Sequence, residues 1–234
     1  MNDAKIIAIT QPTISIFGNT GTDAPTMSVD EFIAYVARVS NPDNQNNMLT
    51  ANKLLKYLAK HKHWSPFEMV NVVMEINTTR DIARQVLRHR SFAFQEFSQR
   101  YADPTKSLGF ETREARIQDE KNRQNSIEYD NPELQSGWII KQEEVIANCE
   151  EAYNWAIRRG IAKEQARAVL PEGLTVSRMY MNGSLRSWIT YIAIREKVET
   201  QKEHREIAKN CKSEILQYFP SLSCLSDEND EWVV

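Results

Sequence analysis

Glycine is scarce in this 234-residue chain, with seven residues, and the only close pair is Gly18 and Gly21. No G-x-G-x-x-G and no Walker loop occurs, so any phosphate has to be held by side chains instead of a glycine-rich turn. Cysteine is scarcer still: three residues cannot build a disulfide framework, and nothing points to an oxidising compartment. Cys149, Cys211 and Cys224 have no histidine beside them to activate a thiolate. No G-x-S-x-G marks a serine nucleophile. No apolar run approaches the ~18 residues of a membrane span, the mean hydropathy is −0.56, and Met1-Asn2-Asp3-Ala4-Lys5 lacks the pattern of a signal peptide. A cytoplasmic protein without a membrane partner is expected. With 29 basic and 32 acidic residues the net charge is −3, which gives no global attraction to a polynucleotide. An inventory weak in covalent catalysis calls for a cofactor to supply hard chemistry.

What is present suffices for a core: 41% hydrophobic residues, five Trp and eight Phe. A β-branched run at 5–10 predicts a first strand. Ser28 and Glu31 form a capping box before a helical repeat to Ser40. A second helix over Leu54–Leu58 ends near His61-Lys62-His63. A strand is expected from Phe67 to Asn77, then a helix from Arg80 to about Arg88 with Thr79 as its N-cap. Residues 102–130 form a polar excursion holding a strand at 110–117. Asn131-Pro132 opens a long helix that Gly160 ends. A short helix over 162–170 stops at Pro171, and a strand is expected over 174–181. Helices follow over 184–195 and 200–218, the latter opened by a Thr200/Glu203 capping box. These elements predict one α+β domain over 1–220, with a mixed or antiparallel sheet and packed helices. The acidic tail, 221–234, is expected to be flexible.

Arginine is concentrated where chemistry would sit. Arg80, Arg84, Arg88, Arg90 and Arg100 face only Asp81 and Glu96, a local +3 within a chain of net −3. Guanidinium forks bind phosphate bidentately, and Ser91, Gln95, Glu96, Ser98 and Gln99 add groups that read a base or ribose. One reading is therefore a nucleotide site built from side chains. A second is a nucleotide- or RNA-binding module spanning Arg84–Arg100, with Phe92, Phe94 and Phe97 as stacking groups. His61 and His63 lack the companions of a metal site, so no metal is expected.

Arg88-His89-Arg90, followed after seven residues by Ser98, resembles the signature of the flavin-dependent thymidylate synthases, the ThyX family. The resemblance extends through Ala37-Arg38-Val39-Ser40, His63-x-Ser65-Pro66-Phe67-Glu68, Gln85, Glu96, Arg100-Tyr101, Ala166-Arg167, Leu170-Pro171, Ser184-Leu185-Arg186-Ser187, Arg195 and Gln201-x-Glu203. Met69, Ser184 and Thr190 stand where the family more often carries His, Asn and Asn or His. The resemblance implies conversion of dUMP to dTMP, with the carbon from 5,10-methylenetetrahydrofolate, hydride from reduced FAD and NADPH as reductant. It implies a homotetramer with active sites at subunit interfaces, and host cytoplasm as the location if the chain is viral. By position, Ser40, His63, Ser65, Arg88, His89, Arg90 and Glu96, with Ser184, Leu185, Arg186 and Thr190 of another subunit, would line FAD. Gln85, Arg88, Glu96, Ser98, Gln99, Arg100, Arg167 and Arg195 would hold dUMP. Arg195, set against the uracil edge, is the expected catalytic residue.

Overall fold

The computed structural model describes residues 2–14 and 26–234; the Gly18/Gly21 pair lies outside them. In chain order the strands are β1 (Asp3–Ile9), β2 (Asn71–Thr79), β3 (Ala93–Glu96), β4 (Arg116–Gln118), β5 (Ser126–Glu128) and β6 (Val176–Ser184). The helices are α1 (Val29–Ala37), α2 (Ala51–Lys60), α3 (Arg80–Val86), α4 (Pro104–Ser107), α5 (Pro132–Arg158), α6 (Lys163–Ala166), α7 (Leu185–Arg195) and α8 (Lys202–Tyr218).

Four strands pair in the order β1-β2-β6-β3, every neighbour antiparallel. The long β2–β6 ladder sets Met74 opposite Met181 and Ile76 opposite Met179, all fully buried. Alternate residues of these strands thus supply one apolar sheet face, as the period of two demands. The core also takes Ile33 of α1, Leu55 of α2, Trp188 and Ile192 of α7, and Ile207 and Ile215 of α8. Trp188, Ile189 and Ile192 lie on the buried face of α7.

Local signals explain most boundaries. The Ser28/Glu31 box is formed in both directions. Asn131 caps α5 and Pro132 occupies its first turn. Gly160, at φ 78°, ends α5 in a conformation that a Cβ would resist. Lys62 takes φ 59° after α2, and His63 N–H reaches back to the Leu58 carbonyl at 2.9 Å. That closing turn makes the His61–His63 segment a helix terminus; His61 stacks on Tyr57 with ring centroids 4.0 Å apart.

Four expectations are corrected. Residues 65–69 form a 3-10 turn, so β2 begins at Asn71 and not at Phe67; Pro66 cannot donate to a ladder. The strand expected over 110–117 is reduced to a bridge at Phe110 and the three residues of β4. Its neighbour is replaced by two amides of α5. Gln142 pairs with the N–H and C=O of Arg113 at 2.7 and 2.8 Å, and Gln135 does the same for Ala115 at 2.8 and 2.8 Å. The Thr200/Glu203 box does not form: Glu203 is taken by Arg116, Thr200 donates to the Ile194 carbonyl, and α8 starts at Lys202 without a side-chain cap. The acidic tail packs against the body: Trp232 is fully buried, its N–H bonds Glu196, and Ser226 bridges Trp232. One large aromatic outweighs the charges around it.

Helix α5 stands apart. Its 27 residues span about 40 Å, and only Gln142, Cys149, Tyr153 and Ala156 are buried. Leu134, Trp138, Ile140, Val145 and Trp155 remain exposed along it.

Candidate active site

The Arg88-His89-Arg90 segment leaves the end of α3, and an aromatic anchor sets its path. Phe92 meets Trp188 and Tyr191 edge-on, with centroids at 4.8 and 5.9 Å. Its ring lies over Gly183, where a Cβ would come within 2.4 Å of it. Glycine at 183 is thus required by close approach and not by backbone conformation. Phe92 and Phe94 pack against the core, so the stacking role considered for them goes to the fold.

The guanidinium of Arg195, in the last turn of α7, donates from Nε to His89 Nε2 at 2.9 Å. His89 can accept only when neutral, and it is: burial, then the charges of Arg195 and Arg88, push its pKa down to about 4. Tyr191 meets the His89 ring edge-on at 4.9 Å. Behind them His204 is fully buried, its Nε2 3.1 Å from the Tyr191 hydroxyl and its Nδ1 3.3 Å from Gln85 Oε1. Burial, then Arg195 and His89, lower the His204 pKa to about 3. Gln85 Nε2 donates to Gln201 Oε1 at 2.8 Å, and Gln201 Nε2 to Glu203 Oε2 at 2.9 Å. Burial acts to raise the Glu203 pKa, but its hydrogen bonds and the charges of Arg116 and Arg113 leave it lowered.

Three further groupings form. Arg100 Nε lies 3.7 Å from Glu164 Oε2, and Arg167 Nε donates to the Glu164 carbonyl at 3.3 Å. Residues 67 positions apart in the chain thus meet at Glu164, one at its carboxylate and the other at its backbone carbonyl. Beside them Ser98 Oγ accepts from the Arg100 N–H at 3.4 Å, and Gln99 is buried with Nε2 lacking a partner. The second grouping gathers on Glu68, which accepts from Arg186 at 2.9 Å and from Ser184 Oγ at 2.7 Å. Ser184 also caps α7, and Thr190 Oγ1 donates to the Arg186 carbonyl. In the third, Ser40 lines a cleft of about 550 Å³ with Arg38, Thr50 and Tyr57, and the Tyr57 ring lies 6.1 Å from that of His63.

Arg88 and Arg90 are exposed and make no ion pair among the described residues. Arg84, in contrast, is clamped bidentately by Glu172 at 2.6 and 3.0 Å, so the cluster separates into fold-holding and free cations. Glu96 is engaged by Ser177 at 2.7 Å and Arg80 at 3.3 Å. Ser65 is exposed at the start of its turn. Leu185 is fully buried, its N–H bonded to the Val70 carbonyl; the structure places it in the core. Burial raises the pKa of Cys149, Cys211 and Cys224, which leaves no activated thiolate among them.

The family model of the thymidylate synthase complementing proteins matches residues 25–221. The chain belongs to this family. A probable flavin-dependent thymidylate synthase of Paramecium bursaria Chlorella virus 1 is 46% identical over 220 residues, covering 94% of this chain and 96% of that protein. The flavin-dependent thymidylate synthase of Synechocystis sp. is 46% identical over 222 residues, 94% of this chain and 97% of that one. The fold is shared with a UMP/dUMP methylase PolB from Streptomyces cacaoi solved with 5-Br UMP, at a TM-score of 0.74 and 20% identity, covering 94% and 91% of the two chains.

The residues marked by the motifs fall on at least four separated elements of the chain. The placement of Tyr191 and His204 behind His89 was not legible in the sequence, because each sits on a helix face that a period of 3.6 assigns to the core. The one signal was the run Gln201-x-Glu203-His204, polar groups at successive positions where α8 should turn inward.

Proposed function

We propose that this chain is a flavin-dependent thymidylate synthase that methylates C5 of dUMP to give dTMP. The observation that carries the site assignment is the Arg195–His89 bond at 2.9 Å, beside two arginines with no carboxylate partner among the described residues. Its Nε committed to a neutral imidazole, Arg195 presents its terminal N–H groups in a fixed plane. Set against the uracil edge, that cation favours the ionised or strongly polarised pyrimidine and makes C5 nucleophilic, charge stabilisation by a group oriented before reaction. Arg100 and Arg167, converging on Glu164, take the nucleotide phosphate together with Arg88. Gln85, Glu96, Ser98 and Gln99 complete the nucleotide set.

The residues present fit FAD. Its diphosphate matches the free cations Arg88 and Arg90 and the half-exposed Arg186, in the absence of a glycine loop. Ser40, His63, Ser65, His89, Glu96, Ser184 and Thr190 would line the rest, with the Leu185 backbone beside them. When bound, FAD supplies the hydride chemistry that no side chain offers. The carbon comes from 5,10-methylenetetrahydrofolate, and NADPH is the reductant. The exposed apolar residues of α5 support self-association as a homotetramer, which would bring elements separated within one subunit to a shared interface. No helix among the described residues is long and apolar enough to cross a membrane; the reaction is assigned to the cytoplasm.

The test is dTMP formation from dUMP by the purified protein, dependent on methylenetetrahydrofolate and NADPH, together with flavin absorbance near ~450 nm that responds to dUMP. Absence of both product and spectral response would reject the assignment.

A further inference from the structure

His204 takes no part in the reading above, and a fully buried side chain cannot touch a ligand. Its hydrogen bonds nevertheless have a fixed polarity. Glu203, a carboxylate, can only accept, so the Gln201 nitrogen must face it and the Gln201 oxygen must face Gln85. Gln85 then donates to that oxygen from Nε2, and its own oxygen faces His204. His204 therefore carries its proton on Nδ1, and Nε2 accepts from the Tyr191 hydroxyl. The chain of bonds starts at an anchored carboxylate: Arg116 donates to Glu203 from a side chain only 10% exposed. It ends on Tyr191, whose ring edge meets His89.

We propose that His204 is a positioning residue for the nucleotide: it gives the Gln85 amide, oriented by Gln201, a second bond that holds its oxygen inward, and through Tyr191 it seats the His89 ring that holds Arg195. Gln85 is then left with one N–H to offer, so it reads an acceptor on the ligand and not a donor. An apolar side chain would fill the same space without this constraint, which is why the role is separable from packing. The inference rests on the reading of the site as a dUMP site.

The experiment compares wild type with His204→Leu, His204→Asn and the double variant Tyr191→Phe/His204→Leu, all with flavin loaded. kcat and KM for dUMP, bound flavin and Tm are measured together. His204→Leu is expected to lower kcat/KM for dUMP at least tenfold, mainly through KM, with flavin content unchanged. The double variant makes both partners of the Tyr191–His204 bond apolar, so it should recover Tm but not kcat/KM. His204→Asn restores an N–H close to the place of Nδ1 and should recover kcat/KM to within threefold of wild type. Nitrogen-15 NMR of the imidazole should report the Nδ1–H tautomer. Wild-type kcat/KM in His204→Leu, recovery of activity together with Tm in the double variant, no gain from His204→Asn, or the opposite tautomer would each overturn the inference. If His204→Leu does not fold, the other two variants decide. A wild-type protein that makes no dTMP fails the functional reading first and removes the nucleotide that Gln85 would position; active wild type with equally active variants fails this inference alone.

Discussion

Arg195→Lys separates charge from geometry at the residue assigned to catalysis. Lysine keeps a cation but loses the planar fork, and with it the Nε–H that donates to His89 at 2.9 Å. A hydrogen bond involving a charged group contributes about 1.5–3 kcal/mol net, and each 1.4 kcal/mol is tenfold in rate. The loss of orientation should therefore lower kcat/KM for dUMP by roughly 10- to 100-fold. Arg195→Ala, which removes the charge as well, should abolish dTMP formation while retaining flavin, because the cations assigned to the diphosphate, Arg88, Arg90 and Arg186, are untouched. The assay is dTMP formation with dUMP varied at saturating folate and NADPH, alongside the flavin-to-protein ratio. A lysine variant within threefold of wild type, or a deficit fully explained by lost flavin, would refute the argument that Arg195 acts through a fixed orientation.

Ser98→Ala should weaken dUMP binding far less than Arg100→Ala, since a hydroxyl contributes one neutral hydrogen bond and a guanidinium a charged pair; equal losses in a dUMP titration would remove Arg100 from the phosphate site. His89 and His204 have pKa values lowered to about 4 and about 3, below the ~6.5 of an unfolded histidine. The unfolded state therefore binds more protons as pH falls, and their contribution is full above pH ~6.5 and lost toward 4 and 3, each with a slope of up to about 1.4 kcal/mol per pH unit. Denaturant titrations between pH 5 and 7 should show His204→Leu flattening this dependence; an unchanged slope would contradict a buried neutral imidazole. Asp30 works in the opposite sense, since burial raises its pKa to about 6, so Asp30→Asn should raise Tm at pH 8, and a lower Tm would show its charge to be compensated. Trp232→Ala should cost about 3–5 kcal/mol, as large buried aromatics do; a surface-sized effect would show the tail to be only loosely docked.

Much of the fold was legible where the signal is local. Ser28/Glu31, Asn131-Pro132 and Gly160 act through their own backbone neighbours, and the helices appear where these residues place them. Apart from the start of β2, which the adjacent Pro66 sets, the failures share a cause. Gln135 and Gln142 replace a strand partner for residues 113–115, Arg116 withdraws Glu203 from the cap of α8, and Trp232 draws the acidic tail onto Glu196 and Lys212. Each is a side chain competing from far along the chain, invisible to periodicity or propensity. The site divides in the same way. Family motifs marked Arg88, His89, Arg90 and Arg195, but their chemical states depended on contacts that no motif records.

By itself the sequence determined how nucleotides could be held. With seven glycines and no phosphate-binding loop, recognition had to fall to guanidinium, amide and hydroxyl groups, and the order of those groups along the chain identified the family. Only the tertiary structure decided which arginines are free. Arg84 and Arg88 look alike as an i,i+4 pair, yet Glu172, 88 residues from Arg84, neutralises one and leaves the other. It also decided that His89 is neutral and holds Arg195, because burial and the charge of a residue 106 positions away remove its proton. Burial and through-space charge depend on what folding brings near, and sequence order does not encode that distance.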